Sequence, residues 1–401
     1  MQLNFTSATA RVVNTERCVL ECLENAQTSL DGTPNLLIFN ATLGHKFERI
    51  FQTTRASYPS ADVVITSCCG VVGQDGVSET VFDMGVMMVQ GEQYSISHCD
   101  GFYGYTAYEK TLQLAQDLKD QNEDINMVYF VGSGIDTNNS DVLSAFNEIF
   151  GSEVTVFGAT SSDNMKGIIN YQGVNDNIYE HGAFAIGFSD PSLIVSTQAS
   201  HGFRATGDPM VVTKSSGHII NEIDGQPAWS TYCQKLGLDA DANCGDSIPI
   251  GALAEALEVK DAQEYGNPHI LRVVTKHEGD NMYYATSIKE GTKLWLTVRD
   301  EDLIFQDTRR MCSSLKMLNE GRKIEAVFHA DCLARGRFLF GKILKEELVA
   351  EMQNALYQEG SCPPWLGLYG FGEFARLGNK NMYHNYTTAL YVLSRKRLQN
   401  Q

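Results

Sequence analysis

Leu36-Leu37-Ile38-Phe39 and Val63-Val64-Ile65-Thr66 are two short apolar runs, and a helical pattern occupies about residues 45–57 between them. Gly32-Thr33-Pro34-Asn35 bounds the first run. Runs this short, rich in branched side chains and flanked by turn residues, read as buried strands. Strand, helix and strand at this spacing predict a βαβ unit around a parallel pair.

The same pattern extends in both directions. Residues 3–12 alternate loosely and predict a first strand, and Asn14 is placed to cap a helix through Cys18, Val19, Cys22 and Leu23. Strands are expected near 82–90, 94–99, 127–131 and 154–157, with helices over about 106–118 and 139–149. Residues 69–79 carry Gly70, Gly73 and Gly76 and read as a loop. Residues 168–214 are strand-like and turn-rich, which predicts an antiparallel meander. A second mixed region begins near Ile223, with helices at 227–236, 301–320 and 341–357. Its strands are expected near 270–275, 282–287, 293–298, 324–329, 366–371 and 387–393. No tandem repeat, low-complexity stretch or Ser/Pro linker is visible. The expectation is a mixed α/β (α+β) fold of two intimately packed domains, 1–222 and 223–401, with layered mixed sheets flanked by helices.

Composition narrows the function classes. The chain has 401 residues, 43% apolar and 20% charged, as a globular protein does. Its 31 Lys and Arg against 49 Asp and Glu leave a net charge of −18. That field repels nucleic-acid phosphates and anionic lipid, so neither partner is expected. The N-terminus has no basic segment followed by an apolar one, and no run approaches 18 apolar residues. No membrane insertion and a cytoplasmic location are the expectation. Ten cysteines without a CxxC pair, and nine scattered histidines without HxxxH, predict free thiols and neither a metal site nor a cofactor.

Several segments carry polar chemistry. Gly132-Ser133-Gly134 follows a strand and precedes a helix; it reads as an anion cradle or as a tight connection. Thr160, Ser161 and Asp163 lie in Gly158-Ala159-Thr160-Ser161-Ser162-Asp163 at a strand end, where ligands of parallel sheets bind. The same residue types also make ordinary turns. Cys68-Cys69 ends another strand, and the buried-thiol reading is the commoner one. In the C-terminal half, Cys332, Arg335 and Arg337 follow a strand, and the arginine forks suit a carboxylate or phosphate. An internal ion pair with Glu373 is the alternative. His384 and Asn385 complete the set.

At these residues the chain resembles the FIST family, named for F-box and intracellular signal transduction. Asp331-Cys332-Leu333-Ala334-Arg335 is similar to its Cys-x-x-Arg segment. Gly367-Leu368-Tyr369-Gly370-Phe371-Gly372-Glu373-Phe374 is similar to its Gly-aromatic and Gly-Glu segment. His384-Asn385-Tyr386-Thr387 resembles its His-Asn-x-Thr strand, and Ile223-Asp224-Gly225-Gln226-Pro227-Ala228 its interdomain junction. The likeness runs from about residue 35 to 393. Cys68-Cys69-Gly70-Val71 departs from it, since the family has a Ser-rich turn there.

The resemblance implies a stand-alone sensor that binds a small polar metabolite, an amino acid or a relative of one, and signals through a separate protein. Arg335 or Arg337 would take a carboxylate, and Glu373 or Asp163 an ammonium. Two other readings compete. One is a thiol enzyme with Cys332 as nucleophile and His329 or His384 as its partner. The other is a protein–protein scaffold.

Overall fold

The computed structural model describes residues 2–239, 241–335 and 342–397. The chain begins with β1 (Asn4–Arg11), α1 (Thr15–Gln27), β2 (Leu36–Thr42), α2 (Phe47–Ser57), β3 (Asp62–Cys68), a hairpin of β4 (Val71–Gly73) and β5 (Gly76–Ser78), and β6 (Asp83–Gln90). The same order then recurs as β7 (Tyr94–Asp100), α3 (Ala107–Gln121), β8 (Met127–Gly132), α4 (Asn139–Phe150), β9 (Thr155–Thr160), a hairpin of β10 (Gln172–Val174) and β11 (Asn177–Tyr179), and β12 (Gly182–Phe188). A third pass opens with β13 (Ile194–Ser200) and is interrupted by an insertion. The insertion holds β14 (Phe203–Ser216), β15 (Ile219–Ile223), β16 (Gln226–Pro227), α5 (Ala228–Leu236), α6 (Cys244–Ser247), β17 (Leu253–Ala256), α7 (Val259–Tyr265), β18 (His269–Arg272), β19 (Val274–Glu278), β20 (Asn281–Tyr284) and β21 (Lys293–Arg299). The pass resumes with α8 (Glu301–Leu318), β22 (Arg322–Cys332), α9 (Lys342–Ala355), β23 (Trp365–Gly370), a hairpin of β24 (Gly372–Leu377) and β25 (Lys380–His384), and β26 (Thr388–Lys396).

The three passes pair their strands identically. Each has one parallel pair bridged by a helix: β2 with β3, β8 with β9, and β22 with β23. The last strand of each pass lies antiparallel beside it, and the first strand lies beyond that. Each hairpin leaves its own pass. β4 pairs with β23, β10 with β3, and β24 with β9. The exchange is cyclic and closes three six-stranded sheets into a ring. The N- and C-terminal halves therefore share two of these sheets, which accounts for the intimate packing that the sequence predicts.

Two expectations need correction. Residues 69–79 are not a loop but contain the hairpin β4–β5. Three-residue strands around glycines offer too few positions for a period of two to show. Residues 168–214 are stranded, but they are not a meander: β10 and β11, β12, β13 and β14 enter four different sheets. Alternation reports a strand with one face covered and says nothing about its partner. The threefold recurrence was equally invisible, because it repeats topology and not side chains.

Each ring sheet is buried on both faces, which is why its strands read as continuous apolar runs. The inner faces meet in one core containing Ile38, Val64, Tyr129, Phe157, Phe184, Phe328, Leu366 and Tyr391. Ring centroids of Tyr129 and Phe157 lie 5.0 and 6.0 Å from that of Phe328, respectively, joining two passes. The outer faces pack under the helix pairs α1/α2, α3/α4 and α8/α9. The insertion has its own core around Trp229, Tyr232, Leu253 and Tyr284.

The parallel pairs end together near the centre of the ring. Their last register pairs are Thr42 with Cys68, Gly132 with Thr160, and Cys332 with Gly370. The segments that follow hydrogen-bond to one another: Cys69 N to Tyr369 O (3.0 Å), Ser162 N to Ser67 O (3.0 Å) and Phe371 N to Thr160 O (3.3 Å). The Ser162 hydroxyl donates to the Tyr369 carbonyl at 2.6 Å. These bonds fix the strand ends that carry the candidate site.

Candidate functional site

A cavity of about 260 Å³ opens where the insertion meets the ring. The second pass supplies Gly134, Ile135 and Asp136 from the turn after β8, and Met165, Lys166 and Gly167 from the segment after β9. The third pass supplies Cys332, Leu333, Ala334, Phe371 and Tyr383. The insertion closes the remaining side with Ile248, Val273 and Lys276, among others. The position obeys the general preference of ligands for the carboxyl ends of parallel strands.

Glycine makes the inner end possible. A Cβ on Gly372 would stand 2.0 Å from the Tyr383 hydroxyl, and one on Gly134 would stand 2.2 Å from the Ser161 carbonyl. With hydrogen there instead, Thr160 Oγ1 reaches Tyr383 Oη at 3.3 Å. The Phe371 carbonyl accepts from Asn385 Nδ2 at 3.3 Å and from Cys332 Sγ at 3.8 Å. Thr160, Cys332 and Asn385, far apart in the chain, are thus gathered through Tyr383 and Phe371 at the inner end of the cavity. Asn385 Oδ1 is buried and has no hydrogen-bond partner among the described residues.

Other predicted site residues serve the scaffold. Ser161 Oγ donates to the Gly132 carbonyl at 3.1 Å and also contacts Asn170 and Gln172. Asp163 accepts from the backbone amides of Lys166 (2.7 Å), Gly167 (3.0 Å), Ile168 (2.8 Å) and Ile169 (3.3 Å). Both of its oxygens are spent on folding the segment that carries Lys166. Arg335 is fully buried and donates from Nη1 to Asp331 Oδ2 at 2.9 Å. Arg337 lies outside the described residues.

Beside this pair, the buried Glu373 carboxyl accepts from the Thr387 hydroxyl at 2.6 Å. Burial pushes its pKa well above the usual carboxylate range, against the Thr387 bond and Arg335. Burial likewise pushes Asp331 up to about 6, with Arg335 opposing. Glu373 is therefore in the interior beside Arg335, but the described ion pair of Arg335 is with Asp331 and not with Glu373 as the internal alternative expected.

The cysteine–histidine pair of the enzyme reading is not assembled. Burial raises the Cys332 thiol well above its ordinary value, which keeps it protonated. His329 Nε2 is bonded to Thr388 Oγ1 at 2.8 Å. His384 Nε2 lies 3.3 Å from the Ala375 carbonyl, with the Tyr265 hydroxyl 3.5 Å from Nδ1. Burial depresses both rings to about 3, so both are neutral near pH 7. Among the described residues, no group of three or more His, Cys, Asp and Glu side chains is placed to hold a metal ion.

Sequence reasoning missed the charged rim. Lys276 lies 3.4 Å from Asp136 and 3.3 Å from Glu278. Burial works against its charge, but the two carboxylates outweigh it and raise its pKa. Asp136 lies in the turn after β8 and Lys276 in β19, and nothing local links them. Phe371 and Tyr383 were closer to hand, since Phe371 lies inside a segment already singled out and Tyr383 adjoins one.

Comparison with known proteins places the chain. The FIST N domain matches residues 35–226 and the FIST C domain residues 228–376. No curated protein sequence matches it. Among solved structures, a cyanuric acid hydrolase from A. caulinodans aligns over 99% of this chain and 100% of its own, with 8% identity and a TM-score of 0.34. PurLQS from Thermotoga maritima aligns over 98% of this chain and 72% of its own, with 10% identity and a TM-score of 0.22. T. maritima PurL complexed with AMPPCP covers the same shares at 11% identity and a TM-score of 0.23. The motif at 223–228 falls at the junction of the two matched domains, and with both domains present in order the chain belongs to the FIST family of signal-transduction sensory domains.

Proposed function

We propose that the chain senses a small polar metabolite, an amino acid or a related carboxylate, held in the cavity between the insertion and the ring. One observation carries the reading: the walls of the cavity come from two bodies of the fold, the insertion, which has a core of its own around Trp229, and the second and third passes, joined to it through Phe203, Leu271 and Cys332. A ligand there touches both bodies, so its binding depends on how they dock. That is the differential affinity a sensor needs. The docking is polar as well as apolar: Asn139 N donates to Ala285 O at 2.8 Å and Ser287 N to Ser140 Oγ at 3.0 Å. The signal would pass to a separate signalling protein through the docked state of the insertion.

None of the ten cysteines forms a disulfide, in keeping with a reducing compartment such as the cytoplasm. Among the described residues, no helix is long and apolar enough to cross a membrane.

A thermal-shift screen of amino acids and carboxylates tests the reading, run on wild type, Ile248→Trp and Val273→Trp. Both positions are only partly buried, line the cavity and pack against the apolar cluster around Phe203, Leu271 and Cys332, so the larger ring fills the space, and the unliganded melting curve of each variant checks that it folds. Ligand at 100 times its Kd adds about 2.7 kcal/mol. Stabilisation of wild type that both variants lose supports the cavity. Equal stabilisation of all three places the ligand elsewhere.

A further inference from the structure

Resting on the cavity as the ligand site, we propose that its ligand is a compact carboxylate without an α-ammonium group, its anionic end at Lys166 and its apolar body against Ile248, Val273, Ala334 and Phe371. An amino acid brings two charges, and each needs a partner when water is removed. Among the described lining residues, the carboxylate is Asp136, and Lys276 already holds it at 3.4 Å. The two other carboxylates that sequence offered to an ammonium are absent from the wall. Asp163 is saturated by four backbone amides, and Glu373 is engaged by Thr387 in the interior. A ligand ammonium would enter without an uncommitted acceptor of opposite charge.

The anion has such a partner. Lys166 is exposed on the cavity wall, and no carboxylate lies within 4 Å of its ammonium among the described residues. Its segment is held in place: Asp163 clamps the amides of 166 to 169, and Met165 sits at φ 70°. A methionine in the left-handed region is a genuine outlier, and such residues concentrate where a site imposes them. Asp136, across the cavity, is a second non-glycine residue there, at φ 53°. The remaining wall is mostly apolar: Ile135, Ile248, Val273, Leu333, Ala334 and Phe371. At about 260 Å³ the space lies below the ~300–1,000 Å³ of sites for drug-sized ligands, which favours a short branched or cyclic body.

Three probes that share one apolar body separate the possibilities: 4-methylpentanoate, leucine and 3-methylbutylamine. Titration calorimetry is run with each on wild type, Lys166→Met and Ile248→Trp. The proposal expects 4-methylpentanoate to bind wild type about tenfold or more tighter than leucine, and the amine to bind least. Lys166→Met removes that preference, and Ile248→Trp removes binding. Because Lys166 is exposed, its variant folds as wild type does. Leucine binding as tightly as 4-methylpentanoate, blocked by Ile248→Trp, overturns the ligand class and leaves the cavity reading standing. No heat from any of the three overturns the ligand class, and the wider screen above then judges the cavity on its own. Binding that Ile248→Trp leaves intact overturns both.

Discussion

The Thr160 and Tyr383 hydroxyls stand 3.3 Å apart across 223 positions of sequence, one at the end of β9 and the other in β25. The contact exists because the third pass lends its hairpin to the sheet of the second. It ties the cavity's inner end to the cyclic exchange that holds the ring closed. Tyr383→Phe removes one partner and should cost about 1 kcal/mol in urea denaturation. Thr160→Val should cost a similar amount, and the double variant less than the sum of the two. Strict additivity would show that the two hydroxyls are not coupled.

Asp163 organises the rim without facing the ligand. Its carboxylate satisfies four amides of one short segment. Asp163→Ala leaves those amides without their acceptor and should destabilise the fold by about 1–3 kcal/mol. Amide exchange at residues 166–169 should accelerate, while exchange in the insertion core around Trp229 stays slow. Unchanged protection at 166–169 would contradict this role.

Cys332 should behave as an unreactive thiol. It is 2% exposed, burial raises its pKa, and its Sγ faces the Phe371 carbonyl. Iodoacetamide at pH 7 should modify it at least about tenfold more slowly than in the denatured chain, because the thiolate is the reacting form. Peptide mass spectrometry reads the rate. Rapid, selective alkylation of Cys332 in the folded protein would revive the thiol-enzyme reading.

Stability should fall on mild acidification through the buried imidazoles. Burial lowers His201 to about 4 and His329 and His384 to about 3, against about 6.5 in the unfolded chain. Between those limits the unfolded state binds protons that the folded state refuses, so stability is lost as pH falls. Each ring costs about 2 kcal/mol between pH 6.5 and 5. Asp331 and Glu373 act in the opposite sense, since burial raises both carboxyls. The folded state holds protons there that the unfolded state releases, so stability is gained as pH falls through the same region. Denaturation of wild type, His384→Gln and Asp331→Asn at pH 5 and 7 separates the two. His384→Gln should flatten the acid loss by about 2 kcal/mol, and Asp331→Asn should steepen it. Parallel pH profiles for all three would contradict the assignment.

Much of the local structure was legible. The runs at 36–39 and 63–66 are the parallel pair β2 and β3, and Asn14 does cap α1, accepting from Arg17 N at 2.9 Å. Apolar period and capping chemistry act over a few residues, so they survive in sequence. Sheet membership does not. The exchange of hairpins depends on the shape of the closed ring, and β4 shows only Val71-Val72-Gly73 to announce it. The site divided in the same way. Cys332, Thr160 and Asn385 were visible as motifs, yet Asp163 proved to be a turn acceptor, since Asp at a strand end serves either purpose. Lys276 with Asp136 was unreadable, because only the docking of the insertion brings them together.

Hydrogen–deuterium exchange with and without the best stabilising compound decides whether a ligand bridges the insertion and the ring. A ligand between the insertion and the ring should slow exchange together at 134–136, 165–167, 244–248, 273–276 and 332–334, segments of both bodies. Protection confined to one body, or centred away from these segments, would contradict it.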